Sequence, residues 1–303
     1  MDRFRTMESF VRVVRAGSFT VAANQLGLSR ALVSRHIGDL EVRLGVKLLN
    51  RTTRSLNLTG EGQAYLDFCE QVFRQIETSE QALAPARTEP AGTLKIAVPK
   101  SFGQIHMADA VVDFARVQPR LRVTLILEDV GFSRGYDFVE RGLDLAIRIS
   151  SLQNASVVEE PLGSVDWLTC ASPVYLAQAG RPSKPADLAE HACLVHVNVA
   201  ANDRIWRFQG PTGPVTTKVN GVFFSNSAIA LRKAAVRDLG IALVPRYAVT
   251  EELEAGALVP VLPRYKVAQR PLFACYPRAA RVPQKVTIFV DFLRDWIARR
   301  SIK

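Results

Sequence analysis

Apolar residues recur at helical spacing through the first 45 positions. Within residues 7–14 they stand at i, i+3, i+4 and i+7, which predicts the buried face of a helix that stops at Gly17. A short helix over residues 19–26 and a third helix that opens after Ser29 and ends near Leu44 follow. Two short helices joined by a glycine-containing turn are typical of a helix-turn-helix.

Residues 46–58 alternate between apolar and polar around a basic tip, which predicts a small hairpin, or wing. Thr59 is placed to cap the long helix that follows, and an apolar stripe at spacings of three and four runs along that helix. The stripe must be buried, either against the same helix of a second copy, which we favour, or against the chain's own head. It consists of Tyr65, Phe68, Val72, Ile76, Ser79 and Leu83.

From residue 93 the pattern changes to strands that alternate with helices. Strands at 94–98 and 121–127 flank a helix at 102–117, and a helix near 135–141 and a strand at 143–149 extend this βαβ unit. A second set has strands at 167–171, 194–197, 205–208 and 241–244 and helices at 174–179, 186–190 and 226–237. A strand at 271–276 and an amphipathic helix at 285–300 come last. We therefore expect an α/β body behind an all-α-type head.

Charge is unevenly distributed along the 303 residues, which carry 39 basic and 29 acidic side chains. Residues 1–60 have a net charge of +6, residues 61–90 of −4 and residues 91–303 of +8. A basic surface favours polyanions or small anions as partners, although charge that only maintains solubility gives the same balance. With 48% hydrophobic residues, the composition excludes disordered, collagen-like and small disulfide-stapled proteins.

Nothing in the sequence points to export or to a membrane. No apolar run approaches the roughly 18 residues that span a bilayer, and the N-terminus carries no readable signal peptide, so we expect a cytoplasmic protein. The cysteines lack C-x-x-C spacing and fit buried, inert thiols in a reducing compartment. They are Cys69, Cys170, Cys193 and Cys275.

Sequence motifs for catalysis, cofactors and metals are also missing. The chain has no H-E-x-x-H, no G-x-S-x-G, no G-x-x-x-x-G-K-[ST], and no G-x-G-x-x-G after a strand. His36 has no other ligand type at metal-binding spacing, so it is expected to be packed or to face a phosphate. We therefore expect a protein that is not an enzyme and holds neither cofactor nor metal.

The head carries a motif that resembles one family. It reads Phe10-x-x-Val13-x-x-Ala16-Gly17-Ser18-Phe19-Thr20-x-Ala22-Ala23, then Leu28-Ser29-Arg30-Ala31-Leu32-Val33-Ser34-Arg35-His36-Ile37, then Leu40-Glu41-x-x-Leu44-Gly45-Val46-x-Leu48-Leu49-x-Arg51-Thr52-Thr53-Arg54. It continues in Leu58-Thr59-Gly60-Glu61-Gly62, and in the body runs Gly142-Leu143-Asp144-Leu145-Ala146-Ile147-Arg148 and Gly240-Ile241-Ala242-Leu243-Val244-Pro245. Taken together, these runs resemble the LysR-type transcriptional regulators across essentially the whole chain.

The resemblance implies three parts: a winged helix-turn-helix at residues 1–58, a dimerising linker helix and hinge at 59–92, and a two-lobed effector domain at 93–303. The effector domain is expected to resemble periplasmic solute-binding proteins, with lobe I at about 93–162 and 268–303 and lobe II at about 163–267. It also implies double-stranded promoter DNA and a small-molecule effector as partners, and a homodimer or homotetramer. RNA polymerase is a further candidate partner.

Residues at the start of the third helix are expected to enter the major groove. A guanidinium can bond to O6 and N7 of guanine, so Arg30 is the leading base-reading candidate; alternatively, Arg30 and Arg35 contact phosphates only. The family often carries Gln and Pro where Arg30 and Ala31 stand, so the base preference here is expected to differ.

The remaining DNA-contact candidates lie at helix ends and on the wing. We interpret Ser18, Thr20 and Ser29 as helix caps, and the free N–H groups beside a cap favour phosphate. The basic wing tip suits phosphates and the minor groove. The full candidate set is Ser18, Thr20, Ser29, Arg30, Ala31, Ser34, Arg35, Arg51, Thr52, Thr53 and Arg54.

A small anion such as a carboxylate is the expected effector, bound between the two lobes. Lys100 and Ser101 follow the first body strand, where open α/β sheets bind ligands, and backbone N–H groups there suit a carboxylate. The alternatives are that Ser101 is a plain helix cap and that Arg148 pairs with Glu128 or Asp129. With the positions that the resemblance adds, the candidates are Lys100, Ser101, Phe102, Arg148, Ile149, His196, Ser225, Asn226, Val244 and Pro245.

Two other function classes compete with a ligand-responsive transcription regulator. A solute-binding or transport-associated protein would explain the two-lobed body but requires export and leaves the head unexplained. A cofactor-dependent enzyme of doubly wound fold lacks its phosphate-binding turn. The regulator is therefore the favoured class.

Overall fold

The chain divides into two units, whose main boundary in sequence lies near residue 84. The computed structural model describes residues 2–51, 56–83, 90–128, 138, 141–151, 154–197, 204–279 and 281–300. Within these ranges no helix combines the length and the apolar character that a membrane span requires.

The first unit is a winged helix-turn-helix followed by a long helix, as the sequence predicts. Its elements are α1 (Arg3–Ala16), α2 (Phe19–Leu26), α3 (Arg30–Leu44), β1 (Leu49–Arg51), β2 (Leu56–Leu58) and α4 (Gly60–Leu83). The first three helices each end at a glycine in the left-handed conformation, where other residues would be strained. Phe10, Val33 and Ile37 are fully buried and form the core beneath the two short helices.

Glu41 joins the third helix to the wing. Its carboxylate lies in the interior and accepts hydrogen bonds from Leu48 N (2.9 Å), Leu49 N (3.2 Å) and Lys47 Nζ (2.9 Å). Burial alone would raise the pKa of Glu41, but these hydrogen bonds and the Lys47 charge outweigh it and lower that pKa. The charged form of Glu41 therefore holds the start of β1 against α3.

The long helix begins at a close contact with the wing. Thr59 Oγ1 accepts a hydrogen bond from Gly62 N (2.8 Å) and donates one to Lys47 O (2.6 Å), which confirms the cap predicted at Thr59. A Cβ atom at Gly62 would lie 2.0 Å from Leu48 O, so only glycine fits this position without backbone movement.

One face of α4 packs on the chain's own head. Tyr65 and Val72 contact the head core, with the ring of Tyr65 at 5.7 Å from that of Phe10, and Cys69 is fully buried between them. The alternative interpretation of the stripe therefore accounts for Tyr65 and Val72. Phe68 lies at the edge of this face, where its ring contacts that of Tyr65 at 5.8 Å, and it is 50% exposed.

The second unit contains two five-stranded sheets, each with mixed strand directions. The first, lobe I, has the order β4-β3-β5-β14-β6 and the second, lobe II, the order β11-β8-β12-β7-β13. The strands are β3 (Gly92–Val98), β4 (Leu121–Leu127), β5 (Leu145–Arg148), β6 (Val157–Val165), β7 (Trp167–Ala171), β8 (Ala192–His196), β9 (Ile205–Gly210), β10 (Gly213–Lys218), β11 (Asn220–Ser225), β12 (Ile241–Pro245), β13 (Val259–Val261) and β14 (Arg270–Pro277).

Helices cover the two sheets, and a hairpin of β9 and β10 stands beside lobe II. The helices are α5 (Lys100–Phe102), α6 (Ala108–Val117), α7 (Pro173–Ala179), α8 (Ala228–Val236), α9 (Thr250–Glu254) and α10 (Gln284–Arg300). A π-helical turn (Gly103–Met107) joins α5 to α6. In lobe I, α6 and α10 meet where Phe114 and Phe289 form an edge-to-face pair at 4.9 Å.

The last helix is tied to the first strand of the body by a buried ion pair. Lys285 Nζ lies 2.8 Å from Asp144 Oδ1 and donates to Thr93 O (2.7 Å), while Asp144 Oδ2 accepts from Lys95 N (2.9 Å). Lys285 is only 5% exposed, so both charges are satisfied inside the protein. This arrangement explains the aspartate in the run of residues 142–148.

Most predicted elements of the body are confirmed, and four strands were missed. The strands β6, β10, β11 and β13 were not predicted; Pro161 and Gly163 interrupt the sequence pattern of β6, and β13 has only three residues. The segment predicted as a helix at 186–190 is a 3₁₀ turn, Pro185–Ala189. The helix predicted near 135–141 falls largely outside the described residues.

Candidate DNA-binding surface and effector cleft

The third helix exposes its basic face and buries its apolar face. Arg30, Ala31 and Arg35 are exposed, whereas Val33 and Ile37 on the opposite side are buried in the head core. Arg35 Nε lies 4.0 Å from Asp39 Oδ2 in a loose, solvent-exposed ion pair, which leaves its guanidinium accessible. Ser34, one turn after Arg30, is half-buried.

Two of the three predicted caps are confirmed. Ser18 Oγ accepts a hydrogen bond from Val21 N (3.4 Å) and Ser29 Oγ accepts one from Leu32 N (3.2 Å), so each serine caps a helix of the motif. The cap interpretation of Thr20 is wrong, because Thr20 is the second residue of α2 and lies inside the helix that Ser18 caps. It is an exposed side chain on the first turn.

The wing is an antiparallel hairpin in which Leu49 pairs with Leu58 and Arg51 with Leu56. Arg51 is the last residue of β1. The three other wing candidates, Thr52, Thr53 and Arg54, lie outside the described residues.

His36 is packed inside the head, in agreement with one of its two predicted roles. Its Nδ1 lies 2.8 Å from the hydroxyl of Ser9, and the residue is 7% exposed. Among the described residues, no group of three His, Cys, Asp or Glu side chains could hold a metal ion.

The effector candidates lie at the carboxyl ends of strands in both lobes. In lobe I, Lys100–Phe102 follow β3 and Arg148 ends β5, which runs parallel to β3. In lobe II, His196, Ser225 and Pro245 end three strands that also run parallel. Such strand ends are where ligands of open α/β sheets bind. Ile149 and Asn226 are the next residues along the chain and are half-buried, and Val244 is fully buried within β12.

A hydrogen bond joins the two lobes at Ser101. Its Oγ accepts from Ala228 N (2.9 Å), the first residue of α8, and the side chain is 5% exposed. The interpretation of Ser101 as a plain cap of its own helix is therefore wrong, because its hydroxyl serves a helix of the opposite lobe and its own helix begins after Pro99 without a side-chain cap. Ser227 Oγ accepts from Ala230 N (3.4 Å), and Ser225 Oγ accepts from Ser227 N (3.1 Å).

Aromatic contacts also link the lobes. Tyr247 of lobe II packs edge-on against Phe102 (5.4 Å) and His106 (5.3 Å) of lobe I. Burial lowers the pKa of His106, so its neutral form is favoured in this cluster. In lobe II, Trp167 packs against His196 at 5.6 Å. Phe102, His106 and Tyr247 thus form an aromatic cluster between the lobes.

Arg148 is the more deeply buried of the two cationic candidates in lobe I. It is 6% exposed at the end of β5, and its backbone pairs with Phe273 of β14. Of the two acidic partners considered for it, Asp129 lies outside the described residues.

Comparison with known proteins identifies both parts of the chain. Residues 4–63 match the description "Bacterial regulatory helix-turn-helix protein, lysR family", and residues 87–298 match "LysR substrate binding domain". The chain belongs to the LysR family of transcription regulators. It is thus a LysR-type DNA-binding regulator with an effector-binding domain, and this family is non-catalytic. The helix-turn-helix match accounts for the head, which the alternative of a solute-binding protein would leave unexplained.

Relatives of this LysR-type regulator include an activator and a repressor. It is 34% identical over 297 residues to the HTH-type transcriptional activator AaeR of Escherichia coli (strain K12), which covers 98% of this chain and 94% of the relative. It is also 34% identical over 300 residues to an HTH-type transcriptional repressor of Pseudomonas aeruginosa (strain UCBPP-PA14), with 98% and 93% covered.

Solved structures of LysR-type regulators share the fold. The full-length virulence activator AphB of Vibrio cholerae has a TM-score of 0.64 at 25% identity, covering 96% of this chain and 98% of that one. CrgA of Neisseria meningitidis has a TM-score of 0.61 at 28% identity, covering 97% and 98%.

In this LysR-type regulator, three side chains that contact or adjoin the cleft candidates were not predicted from the sequence. Ser227 caps α8, Tyr247 bridges the lobes, and Trp167 packs on His196. Ser227 had a readable signal, a serine directly before a helical pattern. Trp167 and Tyr247 had none, because their positions depend on the antiparallel pairing of β7 with β12.

Proposed function

We propose that this regulator reads promoter DNA with α3 and changes its DNA contacts when an organic anion binds between the lobes. The observation that carries the proposal is the exposed, capped start of α3, where Arg30 and Arg35 stand above a buried core. We assign residues 1–58 to DNA reading, 59–92 to dimerisation and 93–303 to effector binding. As a regulator of bacterial promoters it would act in the cytoplasm.

Arg30 is the proposed base-reading residue. A bidentate contact to guanine is worth about 1–3 kcal/mol of discrimination, so Arg30→Ala should reduce the preference for target over random DNA by about tenfold or more. Arg54→Ala is the matched control: as a phosphate contact it should weaken both DNAs equally. Gel shifts with DNA upstream of the protein's own coding sequence measure both. Equal losses on both DNAs for the Arg30 variant would reduce it to a phosphate contact.

A carboxylate is the proposed effector class. The body has a net charge of +8. Two of the cleft candidates, Lys100 and Arg148, are cations at or just after the carboxyl ends of β3 and β5. The first turn of α8 adds backbone N–H groups, one of which now bonds to Ser101. An anion that takes over the N–H of Ala228 would release Ser101 and so alter how the lobes meet.

A thermal-shift screen of small carboxylic acids tests the effector class. Acids that bind should raise the melting temperature of the wild type, and Ser101→Ala should lose that increment. Ser227→Ala is the control, because it removes a cap from the same helix and should lower the melting temperature equally with and without acid. If uncharged compounds stabilise the wild type and no acid does, the carboxylate proposal fails.

We further propose that the protein works as a dimer or a tetramer. The exposed edge of the α4 stripe, which includes Phe68, is the surface offered to a second copy. Two heads held in this way would bind two half-sites of one operator beside a promoter, within reach of RNA polymerase.

A further inference from the structure

A cavity of about 590 Å³ lies beside the two connections between the lobes. Strands β7 and β13 form its floor, and the segment that returns from β13 to lobe I forms its wall. None of the ten predicted effector residues lines it; Trp167, which packs on His196, is shared between the cavity and the cleft. Its volume is in the range of small-molecule sites, about 300–1,000 Å³.

The lining combines apolar walls with positive charge. Leu168, Pro260 and Val267 supply apolar surface, and Arg246 and Lys266 supply two cations. Neither cation forms an ion pair with any residue in the described ranges, and both are exposed at the surface. Because charged groups without a partner attract counter-charges, this lining favours an anion with an apolar body.

The single carboxylate among the described lining residues is already engaged. Asp166 Oδ1 accepts a hydrogen bond from Gln269 Nε2 (2.5 Å), and Asp166 O accepts one from Arg246 N (2.8 Å). Arg270 stacks on the ring of Trp167, another lining residue, at 4.8 Å. Burial, and to a smaller extent the nearby charge of Arg207, lower the pKa of Arg270.

Backbone strain is stored in the cavity wall. Leu262 has a φ of 54°, a conformation that leucine rarely adopts, and it is 3% exposed. The turn is held by the hydrogen bond from Tyr265 N to Leu262 O (2.8 Å). Strain of this kind clusters at ligand clamps and switch regions.

Both lobe connections contribute to the cavity. Asp166 lies between β6 and β7, and Gln269 lies directly before β14, so their hydrogen bond joins the two connections side by side. Ser164 Oγ donates to Gln269 Oε1 (3.4 Å) and extends this link into β6. A molecule in the cavity would therefore touch both segments that connect the lobes.

We propose that this cavity is a second small-molecule site, which binds an organic anion with an aromatic or branched apolar body and, when filled, restrains the two lobe connections. The site shares Trp167 with the effector cleft but contains none of the predicted effector residues.

Calorimetric titration of the full-length protein with 2-naphthoate tests the site. The double variant Arg246→Gln, Lys266→Gln should raise the Kd for 2-naphthoate by about tenfold or more, because it removes the charge-assisted contacts. Arg264→Gln, an exposed neighbour that does not line the cavity, carries the same type of charge change and should leave the Kd within about twofold. Ser101→Ala should also leave it unchanged.

Several results would overturn the site. They are an absence of 2-naphthoate binding to the wild type, an equal loss with Arg264→Gln, or a loss with Ser101→Ala, which would place the probe in the cleft between the lobes. Amide hydrogen exchange tests the restraint: 2-naphthoate should slow exchange at residues 163–167 and 267–270. Binding without slower exchange there would overturn the restraint.

Discussion

The four cysteine thiols lie in the interior, one in the head and three in the body. Burial raises the pKa of each thiol to about 12, so the reactive thiolate is scarce at neutral pH. We expect Ellman's reagent to label none of them in the native protein at about pH 8 and all of them after denaturation. Rapid labelling of a thiol in the native protein would contradict this, and mass spectrometry would identify it.

Gly62 is a second residue at which a substitution should change the stability of the fold. A methyl group there would collide with Leu48 O of the wing, so we expect Gly62→Ala to lower the free energy of unfolding by about 1–3 kcal/mol. Gly60→Ala is the control, because a Cβ at Gly60 meets open space. Chemical denaturation measures both variants, and equal stabilities would show that the helix start shifts without cost.

Local residue roles were predictable from the sequence, and distant ones were not. The caps at Ser18, Ser29 and Thr59 depend on neighbours within three residues, so composition and spacing identify them. The partner of Ser101 is 127 residues away, on a helix of the other lobe. No local pattern encodes that contact, and the helix-cap alternative that the local sequence suggested for Ser101 was wrong.

At the scale of elements, the wing depends on one buried carboxylate. The pKa of Glu41 is lower in the folded chain than in the unfolded chain, so the stabilisation is present above the unfolded pKa of about 4.3 and lost as the pH falls through the folded pKa. Glu41→Gln should therefore cost about 1–3 kcal/mol at neutral pH. The difference should shrink in acid, where the wild type is protonated too.

Thermal unfolding of the wild type and the Glu41 variant across this pH range measures the effect. Glu61→Gln is the control, because Glu61 is exposed on the first turn of α4. A Glu41 variant whose deficit persists unchanged in acid would show that shape, not charge, holds the wing.

The buried centre and the exposed edge of the α4 stripe should respond differently to a charge. Val72→Glu places a carboxylate against the head core and should lower the melting temperature of the head. Phe68→Glu changes the exposed edge and should weaken the dimer with less effect on that melting temperature. Sedimentation velocity separates the two outcomes. If the Phe68 variant sediments as the wild type does, this edge of the α4 stripe is not the interface.

Strong periodicity made the head and most body elements predictable, whereas short or broken strands were not. The strand β6 contains Pro161 and Gly163, and the register of β14 against it shifts between Leu272 and Phe273. Such a strand is stabilised by pairing with its neighbour over its whole length, which a sequence pattern does not record. The order of the strands within each sheet likewise depends on contacts between distant parts of the chain.

At the scale of the whole molecule, the basic head predicts how DNA affinity depends on salt. Each phosphate contact releases counterions, so the logarithm of the binding constant should fall linearly with the logarithm of salt concentration. Removing one contact with Arg54→Ala should reduce the slope by about one. Titrations at several salt concentrations measure this slope, and an unchanged value would place Arg54 away from the phosphates.

Lobe I is assembled from both ends of the body, whereas lobe II is one continuous stretch. The strand β14 lies between β5 and β6, and α10 supplies Lys285 to the buried pair with Asp144. During synthesis the head emerges from the ribosome first, and lobe II can close as soon as β13 has followed. The sheet of lobe I cannot be completed until β14 and α10 have been synthesised. The surface that reads DNA is thus complete well before the pair of lobes that would control it.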